Sequence, residues 1–288
     1  MPASSPTPRE SKLPARIAQR HNFRDFDNEE WWIPTRGVRL PKGMDDVLAR
    51  SSALVAVQPD AVLSDATAAA LLGCSVRSST AKIETVTPPD SAGVRRQGHR
   101  RRRRDLAPGH ITTVHGLRVT TASRTFVDLA ADLPLCVVVA FGDYAIRHGL
   151  ATAESIAACL ADCAGNRGIR RARQAASLLD PRAESPRESI LRITLIEGGL
   201  PGPVAQYVVR RADGGVIARL DLAYVEERIA IEYDGSHHLT PTQQAKDADR
   251  RHELTIDGWL IVTLTAADLR QPGRAVRKVD QALQHRRA

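Results

Sequence analysis

The stretch IAIEYDGSHH, residues 229–238, sets three apolar residues ahead of two carboxylates, Glu232 and Asp234, and two imidazoles, His237 and His238. Taking each charge out of water is costly, so acids at the end of an apolar strand need a counter-charge or a task. A second strand, VIARLDLAY at 216–224, precedes it across a very short loop around Glu226 and Glu227. A hairpin symmetric about that loop sets Asp221 opposite Glu232, with β-carbons about 5 Å apart. Glu232 and Asp234 share a face because strand side chains alternate. Three carboxylates converging on one patch repel one another, and a divalent cation between them is the economical remedy.

Neighbouring residues extend the patch. SPRE at 185–188 is a capping box, with Ser185 as cap, Pro186 at the first helical position and Glu188 reaching back. Glu188 also lies on the helical stripe of Leu191 and Leu195, which faces the sheet, so it is either a capping group or a fourth acid of the site. Gly235 lets the chain turn sharply before His237 and His238. One of these could be a metal ligand, a proton donor to a leaving group or a contact to phosphate. On the next helix Gln243, Lys246 or Asp247, and Arg250 fall on neighbouring turns, where Lys246 and Arg250 could hold a scissile phosphate from the opposite side.

The 288-residue chain has a formal net charge of +8, which favours an anionic partner, nucleic acid first. The sharpest excess is HRRRRRD at 99–105, containing Arg101, Arg102 and Arg103. It is either a grip on phosphates that reads no sequence or a solvated loop. The first twelve residues lack an apolar core and are expected to be a disordered tail without a signal peptide. The longest apolar stretch, LPLCVVVAFGDY, is too short to span a bilayer, and cytoplasmic residence is expected. Cysteines at 74, 136, 159 and 163 show no paired-ligand spacing and are expected as small core residues in a reducing compartment.

Helices and strands must hold these groups in place. Residues 1–42 are polar and end in EEWWIPTRGVRLP, a strand pair or wing. Residues 43–177 are expected to form a mainly helical α+β domain: MDDVLARSSALVAV, SDATAAALLG, TASRTFVDLAADL, CVVVAFGDYAIRHGL and TAESIAACLADC carry helical spacing. KIETVTP and ITTVHGLRVT are strand candidates between them. Ser64 and Gly73 mark the ends of the second helix. LLDPRAESP, 178–186, is the expected boundary. Residues 180–288 then give helix, three strands, helix, strand, helix, an α/β unit of typical domain size.

The residues RLDLAY, RIAIEYDGSHH and KDADRRHELTIDGWLIVTLTAADL together resemble the PD-(D/E)XK nuclease superfamily, in its branch similar to the very-short-patch-repair endonuclease Vsr. The resemblance spans roughly 180–288 and implies a restriction-endonuclease-like αβββαβ core. It makes Asp221 the central metal-binding aspartate, Glu232 the acid of the (D/E)XK element and Glu188 the helix glutamate. Asp234 stands where the superfamily usually has lysine, as a further metal ligand, with Lys246 or His238 taking part of the lysine's role. AVLSDATAAALLG and GLRVTTASRTFVDLA resemble the AbiEi family of type IV antitoxins, which join a DNA-binding winged helix to an effector-facing domain. Of that winged helix only WWIPTRGVRLP remains as a wing.

Two functions follow. The first is a metal-dependent DNA endonuclease or nickase, in which Asp221, Glu232 and Asp234 bind Mg²⁺, with Mn²⁺ as a substitute. His237, Gln243, Arg250 and the arginine run would then hold DNA, and two-strand cutting would call for a homodimer. The second is a non-enzymatic DNA-binding antitoxin or regulator on a degenerate nuclease fold, with a cognate toxin as a further partner.

Overall fold

The computed structural model describes residues 31–36, 38–43, 45–76, 82–92, 96–234 and 241–288, without the side chains of 31 and 241–244. The expected tail, His237 and His238, and the side chain of Gln243 lie outside the described residues. The rest is a mixed α/β chain with three sheets.

The expected strand pair is β1 (Trp31–Thr35) against β2 (Val38–Pro41), antiparallel. Helix α1 (Val47–Val57) covers it, setting Ala49 and Ala53 against Val38 and Leu40. Its N-cap is Asp46, whose carboxylate accepts the Ala49 N–H at 2.7 Å.

Next come β3 (Val62–Leu63), α2 (Asp65–Leu71), β4 (Ile83–Thr87), β5 (His99–Arg103), β6 (Ile111–Val114) and β7 (Leu117–Thr120). They build a five-stranded mixed sheet in the order β5-β4-β3-β7-β6, more sheet than the helical spacing implied. Ser64 does occupy the N-cap of α2, but its side chain makes no capping bond. The Ala66 N–H is taken at 2.8 Å by Glu84 from β4. A helical layer follows: α3 (Ala122–Leu129), α4 (Leu135–Arg147), α5 (Ala153–Asp162) and α6 (Ile169–Ala176). Phe126, Phe141, Val138 and Ile156 fill its centre, and Cys159 and Cys163 are buried there as free thiols. Burial pushes the Cys159 thiol up to about 12, so it behaves as an apolar packing group.

The last unit comprises α7 (Pro186–Glu197), β8 (Val204–Arg210), β9 (Val216–Tyr224), β10 (Ile229–Asp234), α8 (Pro241–Ile256), β11 (Leu260–Thr265), α9 (Ala266–Arg270) and α10 (Pro272–Arg287). Only the short α9, started by a capping box of Thr265 and Asp268, adds to the expected order. The sheet runs β11-β10-β9-β8, with β10 and β11 parallel and the other pairs antiparallel. One face packs Leu222, Ile229 and Ile231 under Leu191 and Leu195 of α7 and Val279 of α10. The other packs Leu220, Ala223 and Ala230 against Leu254 of α8 and Trp259.

Helices α4 and α7 join this unit to the helical layer through a buried carboxylate. Asp143, 1% exposed, accepts from the Asp180 N–H at 2.6 Å, the Ser189 hydroxyl at 2.7 Å and the Arg192 guanidinium at 3.0 Å. Among the described residues no helix is long and apolar enough to cross a membrane.

Candidate functional site

The β9–β10 hairpin has the register expected from its sequence: Tyr224↔Ile229, Ala223↔Ala230 and Leu222↔Ile231. The ladder stops there, one pair short of Asp221 and Glu232. In place of a further backbone bond, the Asp221 carboxylate accepts the Tyr233 N–H at 3.3 Å. Burial pushes the Asp221 carboxyl above the usual carboxylate range, the Tyr233 N–H opposes that, and the nearby Glu188 and Glu232 carboxylates raise it further. Asp221, Glu188 and Glu232 therefore do share one electrostatic neighbourhood.

Among the described residues no group of three or more His, Cys, Asp or Glu side chains is disposed to hold a metal ion. The reason lies in what each carboxylate already holds. Glu188, 6% exposed, turns its Oε2 to the Glu184 N–H at 2.9 Å and the Gln206 amide at 2.7 Å. The capping box is thus modified: Ser185 accepts from the Glu188 N–H at 3.3 Å, and Glu188 reaches back one residue beyond the cap. Glu232, 7% exposed, is met by Arg250 at 2.6 Å and Arg251 at 3.5 Å. Both arginines also pair with Asp247, at 2.6 and 3.2 Å. Two guanidiniums thus sit where the expected cation would have to approach Glu232. Asp234 is exposed at the end of β10, in register with Thr265, and Lys246 is exposed on α8.

Arg250 accordingly has a different position from the phosphate clamp expected of it. Burial opposes its charge, but Asp247 and Glu232 outweigh burial and hold its pKa above the usual arginine value. It is a counter-ion for the carboxylates. Gln206 is a residue the sequence did not single out. It falls between the pairs Ala205↔Leu222 and Tyr207↔Leu220, across from Asp221, with φ of 55°. Positive φ is uncommon for a residue with a β-carbon, and nothing in VAQYVVR announces it.

The arginine run is a strand, not a solvated loop, and alternation divides it. Arg100 pairs with Glu84 at 3.0 Å and with Asp132. Arg102 pairs with Asp65 at 2.9 Å and Asp132 at 2.6 Å, and Arg104 with Asp128 at 3.0 Å. Arg124 of α3 also binds Asp128, at 3.1 Å. Arg167, itself exposed, reaches Asp132 at 3.5 Å, so five guanidiniums meet four carboxylates between the sheet and the helical layer, and Arg102 is removed from the expected phosphate grip. Arg101 and Arg103 lie on the opposite side of the strand, with Arg103 exposed.

A different basic surface lies on α6. Ala172 and Ala175 are buried, while Arg170, Arg173 and, just before the helix, Arg167 are exposed. With so few large apolar residues in IRRARQAA, helical spacing is faint there.

Residues 60–180 match the family model of the AbiEi antitoxin C-terminal domain. The chain is 32% identical over 251 residues to "Uncharacterized protein Rv2248" of Mycobacterium tuberculosis (strain ATCC 25618 / H37Rv), covering 84% of this chain and 89% of that protein. It has the same identity and coverage with "Uncharacterized protein MT2308" of Mycobacterium tuberculosis (strain CDC 1551 / Oshkosh). No solved structure matches the chain significantly. The chain belongs to one family with these two mycobacterial proteins and carries at residues 60–180 a match to the AbiEi antitoxin C-terminal domain.

Proposed function

We propose that the protein is a DNA-binding regulator of the AbiEi antitoxin kind, acting without catalysis and answering to a cognate toxin system. The observation that carries this reading is the AbiEi match over residues 60–180. The matched segment includes the helical layer, and the exposed Arg167, Arg170 and Arg173 at its surface supply sequence-independent attraction to phosphates. In the C-terminal unit Glu232 is held by Arg250 and Arg251, which agrees with this reading. The test is fluorescence anisotropy with a labelled DNA duplex across a salt series in EDTA. Each phosphate contact contributes roughly −0.9 to the slope of log K against log salt. Replacing Arg167, Arg170 and Arg173 with Glu should weaken binding and make the slope shallower by roughly 0.9 per lost contact. Unchanged affinity and slope would remove α6 from the interface.

A second reading, the metal-dependent endonuclease or nickase, is favoured by one observation. Asp221 is pushed up by burial and lies beside the Glu188 and Glu232 carboxylates, across a hairpin of the expected register. A Mg²⁺ or Mn²⁺ ion would supply an activated water and a clamp for phosphate oxygens. As they stand the residues do not fit such an ion, because Arg250 and Arg251 must first leave Glu232. Asp234, in the place of the usual lysine, supplies no cation to orient a nucleophile. This reading therefore ranks second.

A further inference from the structure

The five-stranded sheet ends at β5, which among the described residues pairs with β4 alone. The Ile83 N–H bonds to the Gly98 carbonyl at 2.8 Å and the Arg104 N–H to the Thr87 carbonyl at 3.0 Å. Alternation between these two fixed points turns the backbone groups of residues 100 and 102 inward, toward β4. The N–H and C=O of Arg101 and Arg103 are left facing outward along the sheet edge. Their side chains lie on the opposite face from the arginine–carboxylate network. One guanidinium nitrogen of Arg101 is buried without a hydrogen-bond partner, and Arg103 is exposed.

Open N–H and C=O groups along an edge are a template for another strand. We propose that the β5 edge docks an extended acidic segment of a partner protein, which adds as a sixth strand and sets carboxylates at alternate positions against Arg101 and Arg103. The chemistry selects this occupant. A second copy of the same edge would bring arginine against arginine, which is unfavourable for directly opposed side chains. Nucleic acid offers phosphates but no ladder of donors and acceptors at strand spacing. Residues on one face of a strand repeat about every 7 Å, so acids two positions apart match the two guanidiniums. His99, the third outward position, adds no charge: burial, with Arg101 and Arg96 nearby, pushes its pKa down to about 4.

The experiment titrates the whole chain into a fluorescein-labelled nonapeptide of alternating Glu and Thr, read by anisotropy. Three controls run beside it: the peptide with every second backbone nitrogen methylated, the peptide with Lys for Glu, and a DNA duplex. Arg101→Glu with Arg103→Glu forms the protein control. Neither residue belongs to the arginine–carboxylate network, and because Arg101 is half-buried the thermal melt is recorded beside the exposed single variant Arg103→Glu, whose melt is expected unchanged and whose binding should also fall. The proposal expects binding of the Glu peptide that falls at least tenfold on methylation, on charge reversal of the peptide and in the double variant. Equal binding of the methylated peptide would overturn it, because the attraction would then be charge alone. So would duplex binding that depends on Arg101 and Arg103 without peptide binding, which would make the edge a DNA contact. Absence of binding to any probe would leave the arginines as guards against edge-to-edge pairing, and the proposal would fall.

Discussion

Arg250 lies 2.6 Å from Glu232, on the helix that follows the Glu232 strand, and its other nitrogen lies 2.6 Å from Asp247. One guanidinium therefore settles the charge of two carboxylates at the end of the C-terminal sheet, with Arg251 as a second counter-ion. Truncating one partner of a buried pair leaves the other charge uncompensated. Arg250→Ala should lower unfolding stability by roughly 1–3 kcal/mol, limited by the remaining Arg251. Urea denaturation measures it, and a double-mutant cycle with Glu232→Gln should recover part of the loss. Full additivity would mean that the pair is not formed.

Asp221 presents the opposite case, a carboxyl raised by burial and by two neighbouring acids. Asp221→Asn keeps an acceptor for the Tyr233 N–H and removes the like-charge repulsion. It should be neutral or stabilising at pH 7, by up to about 1 kcal/mol. A clear loss of stability would show that a positive charge holds this carboxylate.

The arginine strand predicts a strict alternation. Arg102→Ala strips Asp65 and Asp132 of a guanidinium and should cost on the order of 3 kcal/mol. The exposed Arg103→Ala should stay within about 0.5 kcal/mol, and the half-buried Arg101→Ala should cost clearly less than Arg102→Ala. Thermal melts of the three variants compare them directly, and equal effects would dissolve the distinction between the two sides.

Much of this was legible in the sequence, and the limits were physical. The β9–β10 register follows from two apolar strands and a loop too short to slip. The order of the C-terminal elements follows from the N-cap at Ser185, from Pro241 at a first helical position and from the stop at Gly258. Asp221, Glu188 and Glu232 neighbour one another in the structure, but the arginines that meet Glu232 could not be read from the sequence, because an arginine on a helix shows no sign of which way it turns. Likewise a run of five arginines has no visible alternation, and the partners of Arg102 lie 37 and 30 residues away. Gln206 owes its role to a backbone angle that its strand does not advertise.

Asp143 makes the joint between α4 and α7 sensitive to pH. Burial pushes its carboxyl up to about 6, with Ser189, the Asp180 N–H and Arg192 opposing. The unfolded value is about 3.9, so the folded chain binds this proton more tightly. The stability contributed is therefore fully present below about pH 4 and is lost as pH rises through about 6. Over that window the change should be on the order of 2 kcal/mol. Asp143→Asn should flatten this part of the stability–pH curve, and Arg192→Met should extend it to higher pH. An unchanged curve in both variants would assign the pH dependence to other groups.

DNA binding without catalysis is put to the test by incubating the protein with supercoiled plasmid in Mg²⁺, in Mn²⁺ and in EDTA, beside Asp221→Ala. Plasmid that stays supercoiled in every lane, yet shifts on a native gel equally for both proteins and without metal, is the predicted result. Nicking or linearisation that needs metal and disappears with Asp221→Ala would contradict it and make the hairpin acids a working catalytic site.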